Sequence, residues 1–218
     1  MGHNHNGTSH CGIYYEREEG DVALLHLSFH NKLLSEKPIP NYRNFVSGHP
    51  DREKIAVSDL CRLIYSKHGS AGLRFAVTRS EAFLKDGSLK IDKPGVGFSC
   101  ATFVKAIFEA EGIPIIRSST WPEATDEDIQ WHSLFADYLA KDPQYENDEA
   151  THEHARAMDF TCKWSRFKPE QIAYAASIAP PPASYKKVAV AAAILLRSII
   201  KECVPVTEPD TTEPDKAS

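Results

Sequence analysis

The strongest structural signal in the sequence is a one-sided apolar stripe within residues 101–111. Its members recur at the spacing of one face of an α-helix: Phe103, Val104, Ile107 and Phe108. Gly112 follows at the position of a helix C-terminal cap, so the pattern predicts an amphipathic helix that begins near Cys100. Such a helix must bury its apolar face against other secondary structure, which favours a folded domain over an extended or fibrous chain.

Two extended segments upstream are the predicted partners of this helix. Residues 12–16 and 21–30 are rich in aromatic and aliphatic side chains, and they flank a turn that contains Gly20. Apolar periodicity predicts further helices over residues 52–67, from Thr125 onward, and over residues 169–179 and 184–202. The sequence therefore predicts an α+β fold, in which a small antiparallel sheet packs against helices.

The 218 residues are enough for one domain with short appendages. We expect residues 1–10 to be a flexible polar N-terminus, residues 11–203 to form a single α+β domain, and residues 204–218 to be a disordered, acidic, proline-rich tail. Within the domain, the acidic stretch 142–153 is predicted to be exposed. The neighbouring side chains of His152 and His154 are expected to be solvated.

Charge and hydropathy exclude several functional classes. The net charge is −5, so there is no basic surplus to attract nucleic acid or acidic lipid. The N-terminus lacks the apolar core of a signal peptide, and the apolar run at residues 188–196 is shorter than the ~20 residues of a membrane span. We expect a protein without a transmembrane segment or nucleic-acid partner, either cytoplasmic or exported without a cleaved signal peptide.

Five widely spaced cysteines contain no Cys-x-x-Cys pair, and we expect them to be reduced. Cys61 lies in the apolar pattern of a predicted helix and is expected to fill the core. Cys100 stands at the first turn of a helix after a glycine-containing loop, where the helix dipole and unpaired N–H groups stabilise a thiolate. The same N–H groups can hold an oxyanion, so Cys100 is a candidate nucleophile; the alternative is a merely buried cysteine.

A thiolate nucleophile needs a base, and the second predicted strand supplies two histidines. Strict alternation along residues 21–30 places His26, Ser28 and His30 on one face of the strand, so either His26 or His30 could be the base. A helical interpretation would place these histidines four residues apart, as in a zinc site, but no third ligand is apparent. A second group, formed by His3, His5, His10 and Cys11, could hold a soft metal, although a polar terminus is favoured. We therefore predict no metal and no organic cofactor.

Two short motifs resemble those of a known enzyme family. The segment Gly97–Val104 is similar to the nucleophile motif of NlpC-type papain-like hydrolases, and His26–Phe29 resembles their His-apolar-Gly-apolar strand. The order of His before Cys is that of the circularly permuted branch, which includes the lecithin:retinol acyltransferase group. The resemblance implies a papain-like core with a catalytic cysteine at a helix N-terminus. It also implies a third, imidazole-orienting residue, for which His30, Asn31 and Glu36 are candidates.

The predicted activity is that of a cysteine-dependent hydrolase or acyltransferase acting on an amide, ester or thioester. Cys100 would attack the carbonyl, and His26, as the motif suggests, would exchange the proton. The substrate is left open between a peptide, a lipid and a protein. The alternative is a non-catalytic protein-interaction module on the same scaffold. One feature supports this alternative: Phe98-Ser99 stands where the family commonly has an acid.

Overall fold

The computed structural model describes residues 2–3, 9–38, 42–78, 80–159, 164–178 and 180–203. Within these ranges the fold is α+β, with a three-stranded antiparallel sheet and six α-helices, as the sequence predicts. The tail at 204–218 lies outside the described residues, so its predicted disorder stays a prediction.

The strands form two antiparallel arrangements. A short ribbon pairs β1 (Gly2–His3) with β2 (Ser9–His10). The main sheet has the order β3 (Ile13–Glu18), β4 (Asp21–Phe29) and β5 (Lys32–Glu36), so each strand pairs with its neighbour in sequence. Gly20 has a φ of 77° and closes the predicted β3–β4 hairpin, because glycine adopts this left-handed conformation without steric cost.

The helices confirm the five helical positions predicted from the sequence, and the described residues include one further helix. They are α1 (Asp51–His68), α2 (Cys100–Ala110), α3 (Asp126–Lys141), α4 (Glu149–Ala157), α5 (Pro169–Ser177) and α6 (Tyr185–Cys203). The addition is α4, which lies across the stretch predicted to be exposed. In the part of the chain that is described, no helix combines the length and apolar character that crossing a bilayer requires.

The helix α2 is the element around which the core is built. Phe103 and Ile107 are fully buried, and the whole predicted stripe lies in the main core together with Leu25 of β4 and Ile172 of α5. Cys61 is also completely buried in this core, as expected. Because the stripe faces inward, the N-terminus of α2 is held against the sheet.

Two buried histidines hold the chain segment around Phe75. Nδ1 of His30 accepts the backbone N–H of Phe75 at 3.3 Å, and Nε2–H of His154 donates to the Phe75 carbonyl at 2.8 Å. The remaining nitrogens are also bonded, Nε2 of His30 to Thr151 at 3.1 Å and Nδ1 of His154 to Gly95 N–H at 3.0 Å. The expectation that His154 is solvated is therefore wrong: it is fully buried, because backbone groups from distant segments bond to it.

We expect this pair of histidines to make the fold sensitive to acid. Burial, followed by the neighbouring His154, lowers the pKa of His30 to about 4. The pKa of His30 is lower in the folded state than the ~6.5 of the unfolded chain, so protonation favours unfolding. The contribution of neutral His30 to stability is therefore complete above pH ~6.5, and it is lost as the pH falls toward 4. Chemical denaturation should show a loss on the order of 2 kcal/mol from His30 alone between pH 6.5 and 5.

The control is His30→Asn, whose amide oxygen can still accept from Phe75 N–H but does not titrate. This variant should have a shallower dependence of unfolding free energy on pH, whatever its stability at pH 7. An unchanged slope would show that His30 does not contribute to acid sensitivity.

Candidate active site

Cys100 is the first residue of α2, as predicted. The preceding Ser99 is the N-cap: its hydroxyl accepts from Thr102 N–H at 3.1 Å, while Thr102 Oγ1 accepts from Ser99 N–H at 2.8 Å. The first-turn N–H groups of Cys100 and Ala101 have no acceptor within the helix. Both residues line the cavity described below, so these N–H groups can stabilise a negative charge that develops there.

The chain segment that precedes β3 lies beside Cys100. His10 lines the same cavity as Cys100, and Cys11 follows His10 in the chain. The Cys11 thiol first, and then His10, lower the pKa of Cys100 well below its ordinary value, although burial opposes the shift. The neighbouring Cys100, reinforced by burial, raises the pKa of Cys11. Of the two thiols, Cys100 is the one whose surroundings favour the thiolate.

A second histidine lies directly behind His10. Nε2 of His10 is 2.8 Å from Nδ1 of His26, so the bond between the two histidines does not use Nδ1 of His10. Burial, and then the charge of His10, lowers the pKa of His26 to about 4, so His26 is neutral at pH 7. Its Nε2 is buried without a hydrogen-bond partner and lies 3.9 Å from a carboxylate oxygen of Glu36.

His10, and not His26, lines the cavity together with Cys100. The strand motif predicts His26 as the partner of Cys100, but the ring nitrogens of His26 face His10 and Glu36. His10 was expected to belong to a flexible terminus; instead it lies in β2. The adjacent Ser9 donates its hydroxyl to Glu170 at 2.8 Å and so ties β2 to α5.

His30, the other predicted base, has its ring nitrogens bonded to Phe75 and Thr151, and it is not among the residues that line the cavity with Cys100. The alternation that placed it beside His26 fails because the β4–β5 register is irregular beyond Leu27. Asn31 then turns the chain with a φ of 55° and donates its N–H to a backbone carbonyl. Of the three candidates for an orienting residue, only Glu36 lies near His26.

The hairpin register explains why the His10 segment reaches His26. Ile13 pairs with Leu25, so Gly12 comes opposite His26. A Cβ on Gly12 would lie 2.6 Å from the Leu25 carbonyl oxygen and 2.7 Å from the His26 Cβ, closer than packed atoms allow. Glycine at this position lets the segment that carries His10 and Cys11 approach β4.

We expect Gly12→Ala to destabilise the protein by about 1–3 kcal/mol and to lower activity, because the clash displaces the strand that carries His26. Thermal unfolding and turnover should be measured together. Gly20→Ala is the matched control: its backbone is strained, but nothing lies within 4 Å of the added Cβ. That variant should lose stability and keep activity, whereas equal activity in both variants would contradict the close approach at Gly12.

Cys100 opens onto a cavity of about 550 Å³. One wall is aromatic. The ring centroids of Phe75 and Phe135 lie 4.2 Å apart, and those of Phe29 and Phe135 lie 5.3 Å apart. On the rim, the Arg166 guanidinium stacks 4.4 Å from the Trp131 ring centroid. The cavity therefore offers an apolar surface beside the nucleophile, large enough for a small ligand or an acyl group.

Tyr42 is a further residue near the site that sequence reasoning missed. Its ring centroid lies 6.2 Å from that of His10 and 6.4 Å from that of His26. Burial, followed by the charge of Cys100, raises the pKa of its hydroxyl, so Tyr42 stays protonated. Tyr42 therefore adds a protonated phenol to the surroundings of the two histidines.

The metal sites considered from the sequence have no counterpart in the described ranges, where no three His, Cys, Asp or Glu side chains are grouped to hold an ion. The side chains of His3 and His5 lie outside the described part of the chain. The site thus consists of a cysteine, two histidines in series and a cavity. No protein-family model matches the chain, and no curated protein or solved structure is significantly similar to it.

Proposed function

We propose that the protein is a cysteine hydrolase or acyltransferase that works through Cys100, His10 and His26. The observation that supports this is that Cys100, at the N-terminus of α2, lines one cavity with His10, and that His10 is hydrogen-bonded to His26 at 2.8 Å. A low-pKa thiol, a base within hydrogen-bond reach and a third group that orients the base are the parts that thiol catalysis needs. The circularly permuted NlpC-type hydrolases remain the proposed family, with His10 added to the motif.

The hydrogen bond between the two histidines determines the proton positions in the thiolate–imidazolium state that we propose. When Cys100 is a thiolate and His10 an imidazolium, both nitrogens of His10 carry protons, so Nε2–H must donate to His26. Neutral His26 then accepts at Nδ1 and carries its proton on Nε2, toward Glu36. His26 thus orients the His10 ring and stabilises its positive charge.

In the acylation step, the Cys100 sulfur forms a bond to the substrate carbonyl carbon, and the oxygen becomes an oxyanion. The N–H groups of Cys100 and Ala101 are placed to stabilise that charge. His10 gives its Nδ1 proton to the leaving amine, alcohol or thiol, and the C–N, C–O or C–S bond breaks. In the second step, His10 takes a proton from water or an acceptor, which attacks the thioester and releases Cys100.

The cavity favours substrates with an apolar group next to the scissile carbonyl. An acyl chain or an apolar amino-acid side chain could pack against Phe29, Phe75 and Phe135. A small polar acyl group would leave this wall exposed to water. We propose that turnover increases from acetyl to longer or aromatic acyl groups.

The experiment that tests the proposal is to trap the acyl-enzyme. The protein is mixed with p-nitrophenyl acetate and p-nitrophenyl esters of longer acids, quenched in acid and examined by intact and peptide mass spectrometry. The expected result is one acyl group per chain on Cys100, with a burst of p-nitrophenol. Acylation spread evenly over lysines, or acylation that is unchanged in Cys100→Ser, would contradict the proposal and favour the interaction module.

A further inference from the structure

A second cavity begins where the segment that carries His10 continues into β3. Ser9 and His10 line the catalytic cavity, onto which Cys100 opens, whereas residues 11–14 line a separate cavity of about 240 Å³. In the described part of the chain, no residue lines both cavities. The second cavity is therefore distinct from the site proposed for catalysis, and the proposed mechanism does not use it.

The interior of this second cavity is apolar. Side chains from α1, α2, α5, β3 and the loop before α1 form its wall, and they include Ile13, Phe45, Val57, Val104, Phe108 and Ala173. Val57, Val104 and Phe108 are buried in the main core, so the packing of the core holds this wall in place. A preformed apolar wall favours a ligand that has an apolar part, because such a ligand removes the wall from water.

The charged part of the lining is cationic. Lys54 of α1 and Arg43 of the loop before α1 line the cavity, and none of the described lining residues is a carboxylate. Arg43 donates to the Ser198 hydroxyl at 3.1 Å, and Lys54 pairs with Asp51 at 3.1 Å. Because the Asp51 side chain is 92% exposed, this ion pair contributes little, and Lys54 can pair with another anion at small cost. The lining therefore favours an anionic group on the ligand.

We propose that the second cavity binds a small amphiphilic monocarboxylate. Its chain packs against the apolar wall, and its carboxylate lies at Lys54 and Arg43. The volume limits the size of this ligand: cavities of about 150 Å³ accommodate benzene, and by proportion a cavity of about 240 Å³ accommodates on the order of ten non-hydrogen atoms. Octanoate is a monocarboxylate of this size.

The two parts of the site predict how affinity depends on the ligand. Each methylene group that enters the apolar part should increase the affinity by about fourfold, so octanoate should bind far more tightly than butyrate. Octanol should bind more weakly than octanoate, because it lacks the charge that pairs with Lys54 and Arg43. Octylammonium should bind more weakly still, because it brings a third cation to the same place.

Isothermal titration calorimetry of the full-length protein with these four compounds is the test. Lys54→Gln should weaken octanoate binding by about tenfold and change octanol binding little, because it removes one charged donor. Ala173→Leu fills part of the apolar space and should weaken the binding of both compounds. Lys67→Gln is the matched control: Lys67 lies on the same helix, its side chain is 38% exposed against 40% for Lys54, and it pairs with Asp86 away from the cavity lining. Thermal unfolding without ligand shows whether each variant is folded.

The catalytic cavity is the alternative location, because it also has an apolar wall and carries Arg166 on its rim. Arg166→Gln should leave octanoate binding unchanged. Loss of binding in Arg166→Gln with normal binding by Lys54→Gln would overturn the proposal. Octanol that binds as tightly as octanoate, or wild type without saturable octanoate binding, would overturn it too. The readout does not depend on turnover, so a protein that binds octanoate at Lys54 but acylates no ester would contradict the proposed function alone.

Discussion

Replacement of Cys100 by serine is expected to reduce kcat/KM by about 10⁴-fold or more while leaving the fold intact. Sulfur and oxygen are similar in size, so the N-terminus of α2 keeps its packing. The serine hydroxyl has a far higher pKa than the thiol, and the surroundings that lower the pKa of Cys100 cannot ionise it at pH 7. The measurement is turnover of activated esters and amides, together with thermal unfolding.

Cys61→Ser is the control for this substitution. It changes a fully buried thiol outside the site, so it should cost stability and preserve turnover per folded molecule. Near-normal turnover by Cys100→Ser would exclude covalent thiol catalysis and favour the protein-interaction module.

The second large effect is expected at His10. His10→Ala removes the proposed base, which lines the cavity with Cys100, and we expect kcat to fall by about 10²–10⁴-fold, the usual range for loss of a general base. His26→Ala should cause a smaller loss, because it removes only the acceptor that orients His10. The double variant should resemble His10→Ala alone, since the two residues act in series.

The matched control is His152→Ala, which removes a partly exposed histidine on α4. It should have wild-type kinetics. If His26→Ala lost more activity than His10→Ala, the base would be His26, as the strand motif suggests. If the losses multiplied in the double variant, the two histidines would act independently.

The sequence was sufficient to predict the element that carries the nucleophile. The apolar stripe of α2 is local information, because one face must be buried whatever the partner, and it placed Cys100 at the first turn correctly. The hairpin was also predicted from its Gly20 turn. Such features depend on residues close in sequence, so the pattern alone determines them.

His10, the proposed base, was missed because its position depends on the register of the hairpin. The pairing of Ile13 with Leu25 places residue 12 opposite residue 26, and this brings His10 to His26. Counting back from the turn at Gly20 would not have given this register, because an irregularity between Glu16 and Glu18 shifts the pairing by one residue. The composition of residues 1–10 instead favoured a flexible terminus.

Helix α4 and His154 were missed for a different reason. The acidic surroundings of His154 predict exposure, but its ring bonds to Gly95 N–H and the Phe75 carbonyl, both remote in sequence. Such contacts leave no periodic signal. The aromatic wall of the cavity likewise joins β4, the Phe75 segment and α3, which only the tertiary fold brings together.

The most direct test of the Cys100–His10 contact is the rate at which iodoacetamide alkylates Cys100 as a function of pH, followed by mass spectrometry of residues 91–105. The account predicts that Cys100 reacts far faster than Cys61, with a titration midpoint well below the ~8.5 of a free thiol. It also predicts that His10→Ala moves this midpoint upward, because His10 is one of the groups that lower the pKa of Cys100. Slow, equal alkylation of both cysteines, or a Cys100 midpoint near ~8.5 that His10→Ala does not change, would contradict it.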